Sequence, residues 1–207
     1  MSSVPPIPTN IRGRLPRSFY TRDARIVARE LIGHILITEI DGVRTSGRIV
    51  ETEAYLGAED HASHAYRGPT NRNRPMFQAG GHVYIYFIYG MYYCFNVVTG
   101  TEDQGQAVLI RGVEPLEGID AMRDRRGKTP RRDIDLTNGP GKLVMALGIE
   151  AGMNGTDLMT DPRVRIKKGE MLADDDVVAT PRIGITKAAE LPWRWIARSA
   201  LKPRRST

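Results

Sequence analysis

The run "HVYIYFIYGMYYCFNVV", residues 82–98, constrains this chain more than any other stretch. Apolar as it is, Gly90 breaks it and tyrosine loads it, so it does not supply the roughly 18 consecutive apolar residues of a membrane span. Aromatic and β-branched residues on both sides of one glycine instead predict two strands meeting at a tight turn about Gly90. The centre of the chain is then β. "QAVLIRGVEP" reads as the next strand, closed by Pro115. Upstream, "ILITEI", the turn "DGVRTSG" and "RIVETEAY" read as a hairpin or meander around an Asp-Gly signal. "TRDARIVARELIGH" predicts a helix, with Thr21 as N-cap, Ala24, Val27, Ala28 and Leu31 on one stripe and Gly33 as the stop. "LEGIDAMRDRR" and "GPGKLVMALGI" are further helices, Pro140 suiting the first turn of the second. Residues 56–81, rich in Gly, Arg, Asn and His, read as a long loop, and the tail holds short strands at "VRIKKGE", "DVVATPRIGIT" and "WRWIAR".

The expected fold class is therefore α/β of the α+β type: one domain with a curved, mainly antiparallel sheet flanked by helices. At 207 residues it can bury roughly two thirds of its unfolded surface in a single core. Residues 1–17, without hydrophobic periodicity, read as a disordered basic arm, and 18–203 as the domain. One cysteine, Cys94, excludes an internal disulfide framework, and the opening residues lack a signal-peptide core, so the expected compartment is the cytoplasm. The net charge of +6 and pI of 9.6 favour a polyanionic partner, nucleic acid before acidic lipid, although solubility alone explains such a charge equally well. "RDRRGKTPRR" carries six basic residues in ten and is most simply a solvated loop, with binding to an anionic strand as the sharper reading.

Three features suggest chemistry. Period-2 alternation in "RIVETEAY" puts Ile49, Glu51, Glu53 and Tyr55 on one face, an unusual place for two carboxylates unless that face is the solvated one. Arg111 shares strand parity with Ala107 and Leu109 and needs an anion, supplied by Glu51 or Glu53 as an ion pair, or by a phosphate or ordered water at a catalytic glutamate. Seven of the eight tyrosines fall between Tyr55 and Tyr93, with Tyr84 and Tyr86 on one face and Tyr89 at the turn. Such a cluster packs a sheet or builds stacking platforms, and an aromatic tip beside arginines suits a wedge in a base stack. Other candidates weaken on inspection. His61 and His64 lie near Glu59 and Asp60, but HExxH is absent and one cysteine cannot build a deaminase zinc site, so no metal is expected. "NGPGKL" lacks the first glycine and the Ser/Thr of a phosphate loop, Leu136 and Leu143 standing there, although Lys142 at a helix start can meet a phosphate. Cys94, between Tyr93 and Phe95, reads as a buried core thiol.

The blocks "VETEAYLGAEDHASHAYRG", "NRNRPMF", "VYIYFIYGMYYCFNV", "VLIRGVEPLEG" and "NGPGKLVMALGI", in that order and spacing, with a weaker one at "PRIGIT", resemble the alkyladenine (3-methyladenine) DNA glycosylases of the mammalian type, which also occur in bacteria. The resemblance spans roughly residues 18–200. It implies a monofunctional, cofactor-free enzyme that flips an alkylated or deaminated purine out of double-stranded DNA and hydrolyses its N-glycosidic bond, acting as a monomer away from membranes. On that resemblance Glu53 is the general base for water, Arg111 helps place the water and contacts the nucleotide's phosphate, and the backbone carbonyl of Ile183 is the third group around the water. Tyr55, His64 and Tyr86 enclose the base, His64 donating a hydrogen bond, Asn96 lies on the pocket floor, Tyr89 intercalates, and Arg72, Arg74 and Lys142 contact the DNA backbone. Glu51 is expected to be a structural partner of a nearby arginine. The alternatives are a non-catalytic binder of damaged or bent DNA, which has no need of Glu53, and a hydrolase of free nucleosides, which would be insensitive to salt.

Overall fold

Asp41 and Gly42 both take positive φ, 51° and 76°, as a two-residue type I′ hairpin turn requires. In the computed structural model, which describes residues 13–88, 92–127 and 130–201, this turn joins β1 (Ile35–Ile40) to β2 (Val43–Leu56), so β2 starts inside the stretch read as a longer turn. β2 is the spine of the sheet: β5 (Gln106–Glu117) lies along one edge, while β1 and then β8 (Arg194–Ala197) share the other. Outward from β5 come β4 (Tyr92–Thr99) and β3 (Val83–Ile88); β6 (Val164–Lys167) flanks β1, and β7 (Val177–Thr180) hangs on β8. These eight strands pair antiparallel throughout. With the helices α1 (Arg17–Tyr20), α2 (Ala24–Leu31), α3 (Ile119–Arg126), α4 (Pro140–Ala146) and α5 (Arg198–Leu201), they form one α+β domain around an open sheet.

The sheet has two unlike faces. Against α2 and α4 lies the main core, with Val27, Leu31, Ile49, Ala54, Phe95, Val97, Val108, Ile110 and Leu143 buried together. The other face carries a small second cluster, Ala65, Met76, Tyr84, Val98 and Ala107, under the long loop after β2. That loop holds only 3-10 turns at Gly57–Glu59 and Arg74–Phe77, as its composition predicts.

Several local expectations need correction. Asp23, not Thr21, caps α2, its carboxylate accepting the Arg25 N–H at 2.8 Å. Pro115 does not close β5, which runs on to Glu117; the pairing slips between Ser46 and Gly47, and Pro115, lacking an N–H, sits at that irregularity. A second slip at Val50, between the pairs Ile49↔Val113 and Glu51↔Gly112, breaks the alternation, so Ile49 joins the core rather than the face of Glu51, Glu53 and Tyr55. Residues 13–17 are packed rather than arm-like: Leu15 is buried and its N–H bonds the Ile166 carbonyl at 3.1 Å, while Arg17 pairs with Asp157 at 2.7 Å. Residues 1–12 lie outside the described part. The first arginines of "RDRRGKTPRR" finish α3, as the helix read over "LEGIDAMRDRR" has it, and do not form the loop.

Candidate active site

Antiparallel register aligns the chemistry. Tyr84 pairs with Asn96, Asn96 with Leu109, and Leu109 with Glu53, one row across β3, β4, β5 and β2 on the loop-covered face. Tyr86 pairs with Cys94, and Tyr55 with Ala107, in the flanking rows. Directly opposed residues point to the same side of a sheet, so these side chains converge on a cavity of about 320 Å³, within the range of small-molecule sites. Its lining includes Tyr55, His64, Tyr84, Tyr86, Cys94, Asn96, Leu109 and Arg111, closed by Pro140 of α4 and by Ile183–Ile185 from the segment after β7. The parity expected for Arg111 with Ala107 and Leu109, and for Tyr84 with Tyr86, is the parity observed.

Glu53 stands behind this lining, its side chain 0% exposed. One carboxylate oxygen, Oε1, accepts the Ile183 N–H at 2.9 Å and lies 3.3 Å from Arg111 Nη1; Oε2 accepts the Tyr55 hydroxyl at 2.9 Å. A carboxylate has about four acceptor directions; the two hydrogen bonds occupy one on each oxygen, and Arg111 adds an ion pair. Arg111 is divided between the two glutamates, its Nε donating to Glu51 Oε1 at 2.9 Å, and Arg194 Nη1 donates to the same oxygen at 2.8 Å. Glu51 is thus the arginine partner expected, serving two guanidiniums. Burial alone would lower the Arg111 pKa, but the carboxylates of Glu53 and Glu51 outweigh it and hold the group above its ordinary value. Burial raises the Tyr55 hydroxyl pKa, and the negative charge of Glu53 raises it further, so it stays a donor.

The aromatic walls are neutral. His64 Nδ1 lies 3.0 Å from the Tyr84 hydroxyl, and its ring meets Tyr86 edge-on at 4.5 Å. Burial, aided by the charge of Arg72, pulls the imidazole pKa below its usual value. Burial pushes the Tyr84 hydroxyl up to about 12 and raises the Cys94 thiol, consistent with the reading of Cys94 as inert. Asn96 is buried with its Nδ2 donating to the Tyr84 carbonyl at 3.0 Å.

Sequence reasoning missed the residues that hold these groups in place. Arg182 and Asp60 form a fully buried ion pair, Nη2 to Oδ1 at 2.9 Å, and Arg182 also donates to the Ala54 carbonyl at 2.9 Å. The guanidinium lies 4.7 Å from the Tyr55 ring centre and 5.0 Å from that of Trp193. One residue later comes the N–H that meets Glu53. Arg194 Nε adds a bond to the Pro181 carbonyl at 2.9 Å, so that segment is held from both sides. Buried Asn73 donates to the His64 carbonyl at 2.8 Å and fixes the loop that carries this histidine. Asp60 stood in view only as part of a metal candidate; it is committed to Arg182, and His61 stacks on Tyr66 at 4.2 Å instead. Among the described residues no group of three His, Cys, Asp or Glu converges as metal ligands would.

The remaining candidates lie at the periphery. Arg72 is exposed and donates to the Phe87 carbonyl at 2.7 Å, lining a second hollow on the far side of His64 and Tyr84. Arg74 is exposed on its 3-10 turn, and Lys142, two residues beyond Pro140, bonds the Asn138 side chain at 2.8 Å. The Ile183 N–H bonds Glu53; the expectation for this residue concerned its carbonyl, as a partner of the water. Tyr89 lies outside the described residues; Phe87 and Tyr92, on either side of that tip, are 44% and 39% exposed. No helix among the described residues is long and apolar enough to cross a membrane.

Known proteins resemble this chain over most of its length. Proteins carrying the name "Putative 3-methyladenine DNA glycosylase" are similar over nearly their whole length: one from Carboxydothermus hydrogenoformans is 49% identical over 181 residues, 87% of this chain and 93% of that protein. One from Methanoculleus marisnigri is 50% identical over 183 residues with the same coverage, and one from Chlorobaculum parvum 47% identical over 182 residues, 87% of this chain and 86% of that protein. The family model for methylpurine-DNA glycosylase matches residues 18–200, the stretch that contains every strand of the sheet and every group around Glu53, and the chain belongs to that family.

Proposed function

We propose that this protein binds duplex DNA, extrudes an alkylated or deaminated purine into the aromatic cavity and hydrolyses its N-glycosidic bond with one water as a monofunctional glycosylase. The observation that carries this reading is Glu53: a fully buried carboxylate held by two hydrogen bonds and an ion pair directly behind a base-sized aromatic cavity. A non-catalytic binder gains nothing from burying that charge, which costs several kcal/mol in desolvation before its partners offset it.

Each group then has a role. Tyr55, Tyr86 and His64 enclose the base, and an alkylated purine, being cationic, is favoured against electron-rich faces. With Nδ1 as acceptor of a hydrogen bond from the Tyr84 hydroxyl, neutral His64 presents its other nitrogen as a donor to the base. Asn96 lies on the floor and selects against the amino group of an undamaged guanine. Glu53 uses its remaining acceptor direction, on Oε2, to orient the water, takes its proton as the bond opens, and offers negative charge to the oxocarbenium-like sugar. Arg111 steadies Glu53 and meets the nucleotide's phosphate, and the Ile183 carbonyl completes the water's surroundings. Tyr89 fills the space left in the duplex, and Arg72, Arg74 and Lys142 hold its backbone. Among the described residues that line the cavity there is no lysine, which favours hydrolysis over lyase chemistry; borohydride trapping of enzyme on abasic DNA would refute that assignment.

The decisive experiment is single-turnover base release from methylated duplex, and from duplex carrying one hypoxanthine or ethenoadenine, by the wild type and Glu53→Gln. Loss of a positioned general base lowers the rate by about 10²- to 10⁴-fold. Release by the wild type and near-silence from a mutant that still binds establishes the reading. Equal release by both proteins would overturn the role of Glu53, and binding without release by either would leave a damage binder.

A further inference from the structure

One basic surface extends from Lys142 beyond the residues already given a role. A hollow between the end of α3 and the start of α4 is lined by Arg126, Arg131, Arg132 and Lys142 against a single carboxylate, Asp135. The cations are only partly neutralised within the fold. Arg132 donates twice to Asp135, from Nε and Nη2 at 2.8 Å each, yet its side chain remains 58% exposed. Among the described residues Arg126 has the Met145 sulfur, at 3.5 Å, as the acceptor for its Nη1, and Lys142 has the neutral amide of Asn138. Arg131 is exposed, with no anionic partner among the described residues. Nearby Asp133 does not serve the hollow, because it is taken by Arg123. The hollow adjoins the cavity closely: Pro140 lines the one and Lys142 the other, separated by Gly141, which packs on the Tyr92 ring.

We propose that this hollow is a phosphate-backbone contact for the duplex flanking the extruded nucleotide, a surface that supplies affinity irrespective of lesion and takes no part in bond cleavage. It rests on the reading of the protein as a DNA enzyme. Three arginines suit the task because a guanidinium fork meets two phosphate oxygens at once and is less strongly hydrated than an ammonium. Asp135 holds Arg132 outstretched at the hollow, where a phosphate can share the guanidinium's unused donors.

The test is the double variant R131Q/R132Q, two exposed positions, with its unfolding temperature as the check on folding. Binding to damaged and to undamaged duplex is titrated across a salt series by fluorescence anisotropy, and base release from methylated duplex is timed at saturating enzyme. Each lost phosphate contact should flatten the slope of log affinity against log salt by about 0.9, hence about 1.8 for the pair, and weaken binding near 0.1 M salt by about 10-fold or more. Both duplexes should weaken alike, with release at saturation unchanged. An unchanged slope and affinity overturn the proposal, making the hollow an ordinary solvated surface, and so does slower release at saturation, which would place it in the chemistry. A wild type that binds with the steeper slope but releases no base would sink the glycosylase reading and leave this surface standing.

Discussion

Replacing Asp60 by Asn should cost far more than a hydrogen bond. Asp60 and Arg182 are both 0% exposed at the side chain, and Asp60 Oδ1 also accepts the Ala62 N–H at 3.0 Å. The amide leaves the Arg182 guanidinium charged and uncompensated beneath Tyr55 and Trp193, a situation that costs about 3–5 kcal/mol. With a urea dependence of about 2.5 kcal/mol per molar for a chain of this size, the unfolding midpoint should fall by about 1.2–2 M. In the double variant Asp60→Asn/Arg182→Met the stranded charge is gone, so it should be at least about 2 kcal/mol more stable than the sum of the two single changes predicts. Chemistry should not recover with stability. Arg182 anchors the segment whose next N–H meets Glu53 Oε1, and loss of one such charge-assisted bond, about 1.5–3 kcal/mol, corresponds to about 10- to 100-fold in single-turnover base release. The assays are urea unfolding by fluorescence and base release well below the midpoint. A cost under about 1 kcal/mol for Asp60→Asn, strict additivity in the double variant, or a double variant with the wild-type rate would each refute the reasoning.

Further outcomes follow from the same geometry. Tyr55→Phe removes one of the two hydrogen bonds to buried Glu53 and should lower stability by about 1–3 kcal/mol and slow base release by about 10-fold, measured as above; an unchanged rate would show that the hydroxyl is a bystander. Glu51→Gln should leave a folded protein that still binds duplex and still releases base, with less than about 10-fold loss, whereas Glu53→Gln should fall by about 10² or more; if Glu51→Gln is silent while bound, the two glutamates have been assigned the wrong way round. Gly57→Ala should cost more than about 2 kcal/mol, since Gly57 has φ +62° and a Cβ there would lie 2.2 Å from the Gln104 carbonyl oxygen; a near-neutral midpoint would contradict that packing. Burial lowers the pKa of His64, with Arg72 assisting, and of His34, whose Nδ1 accepts the Gly169 N–H, Glu30 opposing and Lys168 assisting. The unfolded chain therefore takes up protons at these sites that the folded chain refuses, so stability is unaffected well above about pH 6.5 and is lost as pH falls below it toward the depressed folded values. Urea midpoints between about pH 7.5 and about pH 5 should decline, and decline less in His34→Gln/His64→Gln; equal slopes would dismiss both histidines as the cause.

What the sequence by itself determined were properties of short range. Alternation put Tyr84 and Tyr86 on one face, which holds because a strand's side chains must alternate where its pairing is regular; Arg111 keeps the face of Ala107 and Leu109 although the pairing with β2 slips at it. The Asp-Gly turn, the helix stripe ending at Leu31 and Pro140 in the first turn of α4 are likewise written within a few neighbouring residues. The resemblance named Glu53, Tyr55, His64, Tyr86 and Asn96 from motifs that stand intact in this chain, and the last four line one cavity with Glu53 behind it. Tertiary structure alone decided the rest. The slip at Val50, which sends Ile49 to the core while its expected companions face the cavity, depends on how β5 lies against β2. The Asp60–Arg182 pair joins residues 122 apart, and Arg194 reaches Glu51 across 143, distances along the chain that no local pattern encodes. Local periodicity records which way a side chain leaves its own strand; which partner waits there is set by strand order and by the low dielectric of the assembled core, where a buried charge must find its opposite.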